Sequence, residues 1–360
     1  MATPEGSHAY RERHGDRGFA RTYFRRTGDC AVSSVGLGTA GNAGDDDALQ
    51  AALVCGLENG INVIDTASNY RQGRAEQIAG AAIDAADVDR DAVFLATKGG
   101  FVPFDGERPA DPAAFVRREY LDTGRLDPDD LARGRHALTP KFLGAQLDQS
   151  LDALGVESVD CYYVHEPDVQ LTERSREEVY DQLEDAFTLL EERVARGDIR
   201  GYGVASWDAF RVPPDHERYL SLREVVTRAR RSADRVGADR THLRAIQVPF
   251  NVEMADAFTV AAHEGAEETQ SALWFARDAD IDVFASAPLA GGALAAGLPP
   301  AVASRTSGDT AAQRALNFVR SAPGVSSAVV GTTDLAHVRE NIAAGTFEPL
   351  GSTAFDAIFE

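Results

Sequence analysis

The sequence predicts a (β/α)₈ TIM barrel, and three observations carry that expectation. Eight short apolar runs are each followed by an amphipathic stretch, the pattern of parallel strands joined by crossover helices. Polar residues of unlike chemistry stand at the C-terminal ends of consecutive runs, where barrel enzymes build their sites. The length, 360 residues, suits one α/β barrel with enlarged loops.

Residues 1–20, MATPEGSHAYRERHGDRGFA, are polar and lack an apolar run, so they read as a flexible N-terminal extension. Residues 21–360 read as a single barrel domain. Arg21–Phe24 and Asp29–Val32 are expected to form a β-hairpin that plugs the barrel bottom. The barrel strands are expected at 35–38, 62–65, 93–97, 159–164, 199–204, 245–248, 283–285 and 327–330. Helical periodicity follows each, at 45–59, 74–86, 140–153, 177–196, 219–235, 269–279, 311–320 and 334–343. Three connections are longer than α/β loops usually are: 99–139 after strand three, 207–219 after strand five and 249–269 after strand six. All leave the C-terminal ends of strands and are expected to wall a pocket.

Charge narrows the partners. Lys+Arg is 36 against Asp+Glu 57, a net charge of −21, so nucleic acid and anionic membrane are repelled. The carboxylates are spread along the chain, which suits a protein working in high salt. No stretch of about 18 apolar residues occurs to span a membrane. Cys30, Cys55 and Cys161 form neither a disulfide framework nor a metal spacing, as expected in a reducing cytoplasm. Only Lys98 and Lys141 are lysines, the other 34 cations being arginine, so a lysine inside an apolar strand needs a reason.

The strand ends supply one. INVIDTASNY closes strand two with Asp65 and sets Tyr70 five residues on, VFLATKGG closes strand three with Lys98, and CYYVHEPD closes strand four with His165. Singly, each has an ordinary reading: a capping aspartate, a rim tyrosine, a snorkelling lysine, a packed histidine. Together, at neighbouring strand ends, they match the needs of carbonyl reduction, in which carbon receives hydride and oxygen receives a proton. A tyrosine near pKa 10 holds its proton at neutral pH. A nearby ammonium makes it a better acid, and a carboxylate holds that ammonium. A histidine opposite can donate to the carbonyl oxygen.

A rival motif, Gly36-Leu37-Gly38-Thr39-Ala40-Gly41, fits G-x-G-x-x-G after a strand, with Asp65 further on. That dinucleotide fingerprint needs a helix N-terminus at its third glycine. Here Gly41 leads into NAGDDD, whose carboxylates would repel pyrophosphate, so a tight barrel turn explains the glycines better. A metal hydrolase on the same barrel lacks a second strand-end histidine, and His165-Glu166 is not an H-E-x-x-H helix.

The runs GINVIDTASNYRQGRAE, FLATKGG, VDCYYVHEPD, IRGYGVASW and VSSAVVGTTDLAHVREN, in this order, resemble the aldo-keto reductase family over roughly residues 30–345. The long third loop, GGFVPFDG…HALTPKFL, is similar to a bacterial and archaeal branch, and with the acid excess this suggests a haloarchaeal source. The resemblance implies NAD(P)H-dependent reduction of an aldehyde or ketone, with Asp65, Tyr70, Lys98 and His165 as the tetrad and Tyr70 as proton donor. It implies cofactor contacts from Gly38, Thr39, Asp65, Ser206, Gln247, Ser286, Pro288 and Leu289. Ser206 and Gln247 would hold the carboxamide. Ser206 replaces the family's usual asparagine, and Ser286 stands where many members stack a tyrosine on nicotinamide. Gly331, Thr332, Thr333, His337, Glu340 and Asn341 match the adenosine segment. Members specific for NADPH often carry cations at the Gly331 and His337 positions, so the 2′-phosphate clamp is missing and the cofactor is NADP or NAD. Arg71, Phe101, Trp207 and Phe250 are expected to wall the substrate pocket. The alternative reading is a non-catalytic barrel that regulates a partner; oligomeric state is open.

Overall fold

The computed structural model describes residues 1–41 and 44–360. Asn42 and Ala43, within the NAGDDD run, lie outside the described residues. In chain order the chain forms α1 (Pro4–Arg13), the hairpin β1 (Phe24–Thr27) and β2 (Cys30–Ser33), then β3 (Val35–Gly38), α2 (Asp46–Leu57), β4 (Val63–Asp65), α3 (Ala75–Ala85) and β5 (Phe94–Gly99). Then come α4 (Pro112–Val116), α5 (Pro140–Leu154), β6 (Val159–His165), α6 (Arg176–Arg196), β7 (Ile199–Ala205), α7 (Leu222–Val236) and β8 (Leu243–Pro249). Next are α8 (Asp256–Thr259), β9 (His263–Glu264), β10 (Thr269–Gln270), α9 (Ala272–Asp278) and β11 (Asp282–Ser286). The chain ends with α10 (Ala293–Ala296), α11 (Pro300–Ala303), α12 (Ala311–Ser321), β12 (Val325–Gly331), α13 (Leu335–Ala343) and α14 (Ser352–Asp356).

Strands β3 to β8, β11 and β12 close into one parallel barrel, with β8 paired to β11 and β12 paired to β3. The expected (β/α)₈ order is thus observed, and the dinucleotide-fold alternative falls. Gly36 and Gly38 lie within β3, and Gly41 opens no helix: α2 begins five residues later, capped by the Asp45 carboxylate on the Ala48 amide. At Gly36 a Cβ would sit 3.0 Å from Val63 Cγ1, so tight strand packing accounts for that glycine.

Local chemistry explains the helix ends. Thr139 caps α5 with Pro140 in its first turn, and Gly155 ends it in the left-handed region at φ 64°. Ser175 and Glu178 form a reciprocal capping box on α6. The apolar faces of these helices meet the outside of the barrel, where Leu143, Leu147, Leu183, Phe187 and Leu190 are fully buried. Inside the barrel, Val63, Phe94, Cys161, Tyr163, Phe284 and Val329 form a second cluster, with Phe94 stacked on Phe284 at 5.2 Å. Val32 of the hairpin joins that cluster from below, so the hairpin plugs the bottom, although its first strand runs three residues, and its second one residue, later than expected.

Residues 1–20 depart from expectation. Instead of a flexible extension, they form α1, whose Tyr10 hydroxyl donates to the Leu57 carbonyl while the Ala2 amide donates to Asp160. Ala2 is fully buried. The helix buries little apolar surface, and it is held by polar contacts that periodicity does not reveal. The third loop carries its own small core of Val102, Val116, Tyr120, Leu126 and Phe142, so it is a packed wall. Among the described residues no helix is long and apolar enough to cross a membrane.

Candidate active site

The strand register brings the four expected residues together. Asp65 ends β4, level with Ala96 of β5; Lys98 on β5 lies level with Tyr163, two positions before His165 ends β6. Lys98 Nζ donates to Asp65 Oδ2 at 2.6 Å and to the Thr66 carbonyl at 2.8 Å, and is fully buried. It lies 4.9 Å from the centre of the Tyr70 ring. The Tyr70 ring in turn meets His165 edge-on, with ring centres 5.9 Å apart.

Burial pushes the Tyr70 phenol above its usual pKa, and the charge of Lys98 and a hydrogen bond from it pull the other way. The proton therefore stays on oxygen at neutral pH. Burial alone would lower Lys98, but Asp65 and Tyr70 more than reverse this, so it remains an ammonium. Burial, reinforced by Lys98, drives His165 well below its usual value and keeps it neutral. Its Nδ1 is buried without a hydrogen-bond partner among the described residues. A buried acceptor left bare costs less to tolerate when it carries no proton, so the ring hydrogen belongs on Nε2 as a donor.

Gln247, which the family resemblance places at the carboxamide, takes a further role, and several other supporting residues are not marked in the sequence. Gln247 on β8 donates its amide to Asp65 Oδ1 at 2.8 Å, so both carboxylate oxygens are engaged. His136, in the third loop, accepts from Gln170 at Nδ1 and donates from Nε2 to the His165 carbonyl. Gln146 anchors the same loop through the Gly100 amide and the Phe101 carbonyl. Glu166 follows His165 in the left-handed region, φ 51°, and its carboxylate accepts from the Trp207 amide. HALTP and HEPD hold the sequence signal for His136 and Glu166, polar residues beside apolar runs.

Two expected pocket residues are placed elsewhere. Phe250 is fully buried, stacked on Phe318 at 5.6 Å, and belongs to the outer core. Arg71 is buried and binds Asp46 and the carbonyls of Gly41 and Gly44, so it clamps the loop after Tyr70 to the loop after β3. Phe101 does border the site, edge-on to His165 at 5.3 Å, and Trp207 is about half exposed beside Glu166.

The residues expected to hold a cofactor fall at the same barrel end. Gly38 pairs with both Asp65 and Gly331, and Thr39 donates to Thr66. Ser206 donates to Asp168 and accepts from the Ala209 amide, so its hydroxyl is already engaged. Gln247 spends its amide nitrogen on Asp65, so its Oε1 is the end that could accept from a carboxamide. From Ser286 onward, past Pro288 and Leu289, the backbone turns left-handed at Ala287, Ala290, Gly291 and Gly292. Such turns point successive amides into a concavity that suits an anion. Gly331, Thr332, Thr333, His337 and Glu340 are accessible around the start of α13, while Asn341 is buried.

The barrel thus carries a buried Asp–Lys–Tyr array and a facing histidine at the C-terminal ends of its strands. Its sequence matches the model of the Aldo/keto reductase family over residues 34–214, and the chain belongs to that family. It is 29% identical over 212 residues to D-threo-aldose 1-dehydrogenase from Pseudomonas sp, covering 57% of this chain and 55% of that protein. It is also 29% identical over 208 residues to the NADH-specific methylglyoxal reductase of Escherichia coli K12, covering 55% of each. The chain thus matches a little over half the length of these relatives. Among solved structures, the holo form of an aldo-keto reductase from Bacillus halodurans superposes with TM-score 0.65 at 19% identity, over 93% of this chain and 95% of that one. A Klebsiella pneumoniae aldo/keto reductase in complex with NADP and acetate gives TM-score 0.61 at 22% identity, over 94% of each. These likenesses agree with the barrel fold.

Proposed function

We propose that the chain reduces a small aldehyde or ketone to the alcohol, reversibly, with NAD(P)H. One observation carries this reading: buried Lys98 is paired with the Asp65 carboxylate and lies 4.9 Å from the centre of the Tyr70 ring, which meets His165 edge-on. A regulatory barrel has no need for a charged pair hidden at this position. The nicotinamide would supply hydride to the carbonyl carbon. Gln247 Oε1 would receive the carboxamide, and the left-handed backbone of 287–292 suits the pyrophosphate.

The protein's own residues handle the oxygen. His165 Nε2 orients the carbonyl and stabilises its developing charge. Tyr70 releases its proton to that oxygen, and the Lys98 ammonium stabilises the phenolate left behind. Phe101 beside His165 and the half-exposed indole of Trp207 favour an aromatic, apolar or sugar-like carbonyl. Three free cysteines and the acidic surface support a cytoplasmic setting, one rich in salt.

The test is reduced-cofactor oxidation against a panel of aldehydes, aldoses and methylglyoxal, for wild type and Tyr70→Phe. Tyr70→Phe is expected to lower turnover by about 10²–10⁴-fold, the span of an acid–base contribution. Cofactor affinity should hold, because the lost hydroxyl faces substrate. No turnover with any carbonyl by wild type, or full turnover by Tyr70→Phe, would overturn the proposal.

A further inference from the structure

A second cavity lies at the opposite, N-terminal end of the barrel, between the β1–β2 hairpin and the first residues of β7, β8, β11 and β12. It measures about 800 Å³ and is lined by Arg25, Arg26, Arg200, Arg240, Arg244 and Arg277. Only three carboxylates share it, Asp29, Asp280 and Asp282. In a chain of net charge −21, such a concentration of cations is an inversion of the prevailing charge.

Most of these arginines have structural partners. Arg25 donates to the Val325 and Arg320 carbonyls, and Arg26 pairs with Asp29 at 2.9 Å. Arg200 reaches Asp160 and the Ala2 carbonyl. Arg277 stacks over Trp274 at 4.3 Å and approaches Asp278 at 3.6 Å. Arg240 and Arg244 are different: among the described residues, neither donates a hydrogen bond nor makes an ion pair. The Nε of Arg244 is shut off from solvent with nothing to accept from it. Asp282 feels the charge of Arg244 but accepts from the Ser326 hydroxyl at 2.8 Å and forms no ion pair with that guanidinium. Both guanidinium groups line the cavity, Arg244 partly buried and Arg240 exposed, and among the described residues neither is neutralised by a protein carboxylate in contact with it.

We propose that this cavity is a binding site for a small multivalent phosphate anion, held by Arg240 and Arg244 with Arg277 at the rim. Planar guanidinium forks match phosphate oxygens in pairs, which an ammonium could not do. The site is concave, and the surrounding surface carries the excess of carboxylates, so a small anion fits it while a nucleic acid or membrane is repelled. The cavity is separate from the tetrad, so the inference does not depend on the reductase reading.

Trp274 gives a local reporter, since Arg277 covers its ring and the other tryptophan, Trp207, is at the far end of the barrel. The full chain carrying Trp207→Phe would be titrated with inorganic pyrophosphate at constant ionic strength set with KCl, following Trp274 emission, which reports this end of the barrel only. One saturable site is expected, with orthophosphate binding more weakly. Arg240→Ser, at an exposed position that the fold does not need, should weaken it by at least about tenfold, the size of one charge-assisted contact. Arg244→Gln should do the same, while His337→Ala at the other end should leave the Trp274 response unchanged. No saturable response would overturn the proposal. So would unchanged affinity in Arg240→Ser, or an equal emission change on adding KCl alone.

Discussion

Lys98 Nζ and Asp65 Oδ2 lie 2.6 Å apart with almost no contact with bulk water. Removing one member of such a pair strands the other. Lys98→Met is expected to cost about 3–5 kcal/mol of stability, the usual penalty for an orphaned buried charge. Lys98→Arg keeps the charge, but its planar fork is larger than the ammonium, and the Asp65 oxygens and Thr66 carbonyl are set for a point donor. Turnover of the arginine variant should therefore fall nearly as far as that of the methionine variant. Melting curves and steady-state rates check both. An arginine variant close to wild-type turnover would show that charge alone is needed.

Much of this arrangement is readable from residue order. Strong periodicity places the barrel helices within a few residues, and the tetrad follows because strand ends converge in a closed barrel. What stays hidden depends on contacts between distant segments. Phe250 and Phe101 are both aromatic and follow strand ends, yet one stacks into the core on Phe318 and the other borders His165. Arg71 is turned aside by a left-handed backbone at φ 48° that no local pattern announces. Helix α1 lacks an apolar stripe, so its docking through Ala2 and Tyr10 leaves no periodic trace.

Glu166 provides a pH-dependent expectation. Burial, then the charge of Asp168, raises its carboxyl to about 8, and its negative charge raises Tyr70. Below that pH Glu166 is neutral and Tyr70 is the stronger acid. Above it the new negative charge holds the phenolic proton more tightly. Reduction measured as kcat/KM should therefore fall as pH rises through about 8. Glu166→Gln, which keeps an acceptor for the Trp207 amide, should flatten that step. A step of the same size in the glutamine variant would assign it to another group. His165 should contribute no acidic limb near its ordinary value, because burial holds it neutral far below that.

The adenosine end bears on cofactor choice. No cation stands at Gly331 or His337, and Gly44 abuts the Thr333 side chain so closely that a Cβ would overlap it. That contact brings the loop before α2 against the Thr333 segment, where Asp46 is already paired with Arg71 and Arg74. NADH should accordingly bind at least as well as NADPH. Gly331→Lys with His337→Arg should shift preference toward NADPH by roughly ten- to hundredfold, if one charge-assisted contact of about 1.5–3 kcal/mol is regained. A Cβ at residue 331 would lie 3.2 Å from the Gly38 and Ala40 carbonyls, a small adjustment. Fluorescence titration with both cofactors decides it. Tight NADPH binding with undetectable NADH binding by wild type would refute the expectation.

Salt acts on the whole molecule through two opposed effects. The net charge of −21 repels itself in dilute buffer, and screening relieves this as the Debye length falls from about 10 Å at 0.1 M to about 3 Å at 1 M. The same screening weakens exposed ion pairs such as Arg13–Asp87, but such pairs contribute only about 0–1 kcal/mol each. Buried pairs such as Lys98–Asp65 are shielded from ions. The arginine knot around Arg228, which meets Glu177, Asp181, Glu184 and Glu224, has its guanidinium buried while two of its carboxylates are well exposed, so it loses part of its strength only. Relief of repulsion therefore outweighs the loss of surface pairs. Molar KCl is expected to raise the melting temperature and activity together, and desalting to inactivate the protein slowly. A melting series from 0.1 to 2 M KCl at fixed pH checks this, with Arg228→Met as a control that removes the knot and should still show the rise. A flat or falling midpoint in the wild type would mean that the acidic surface is no adaptation to salt.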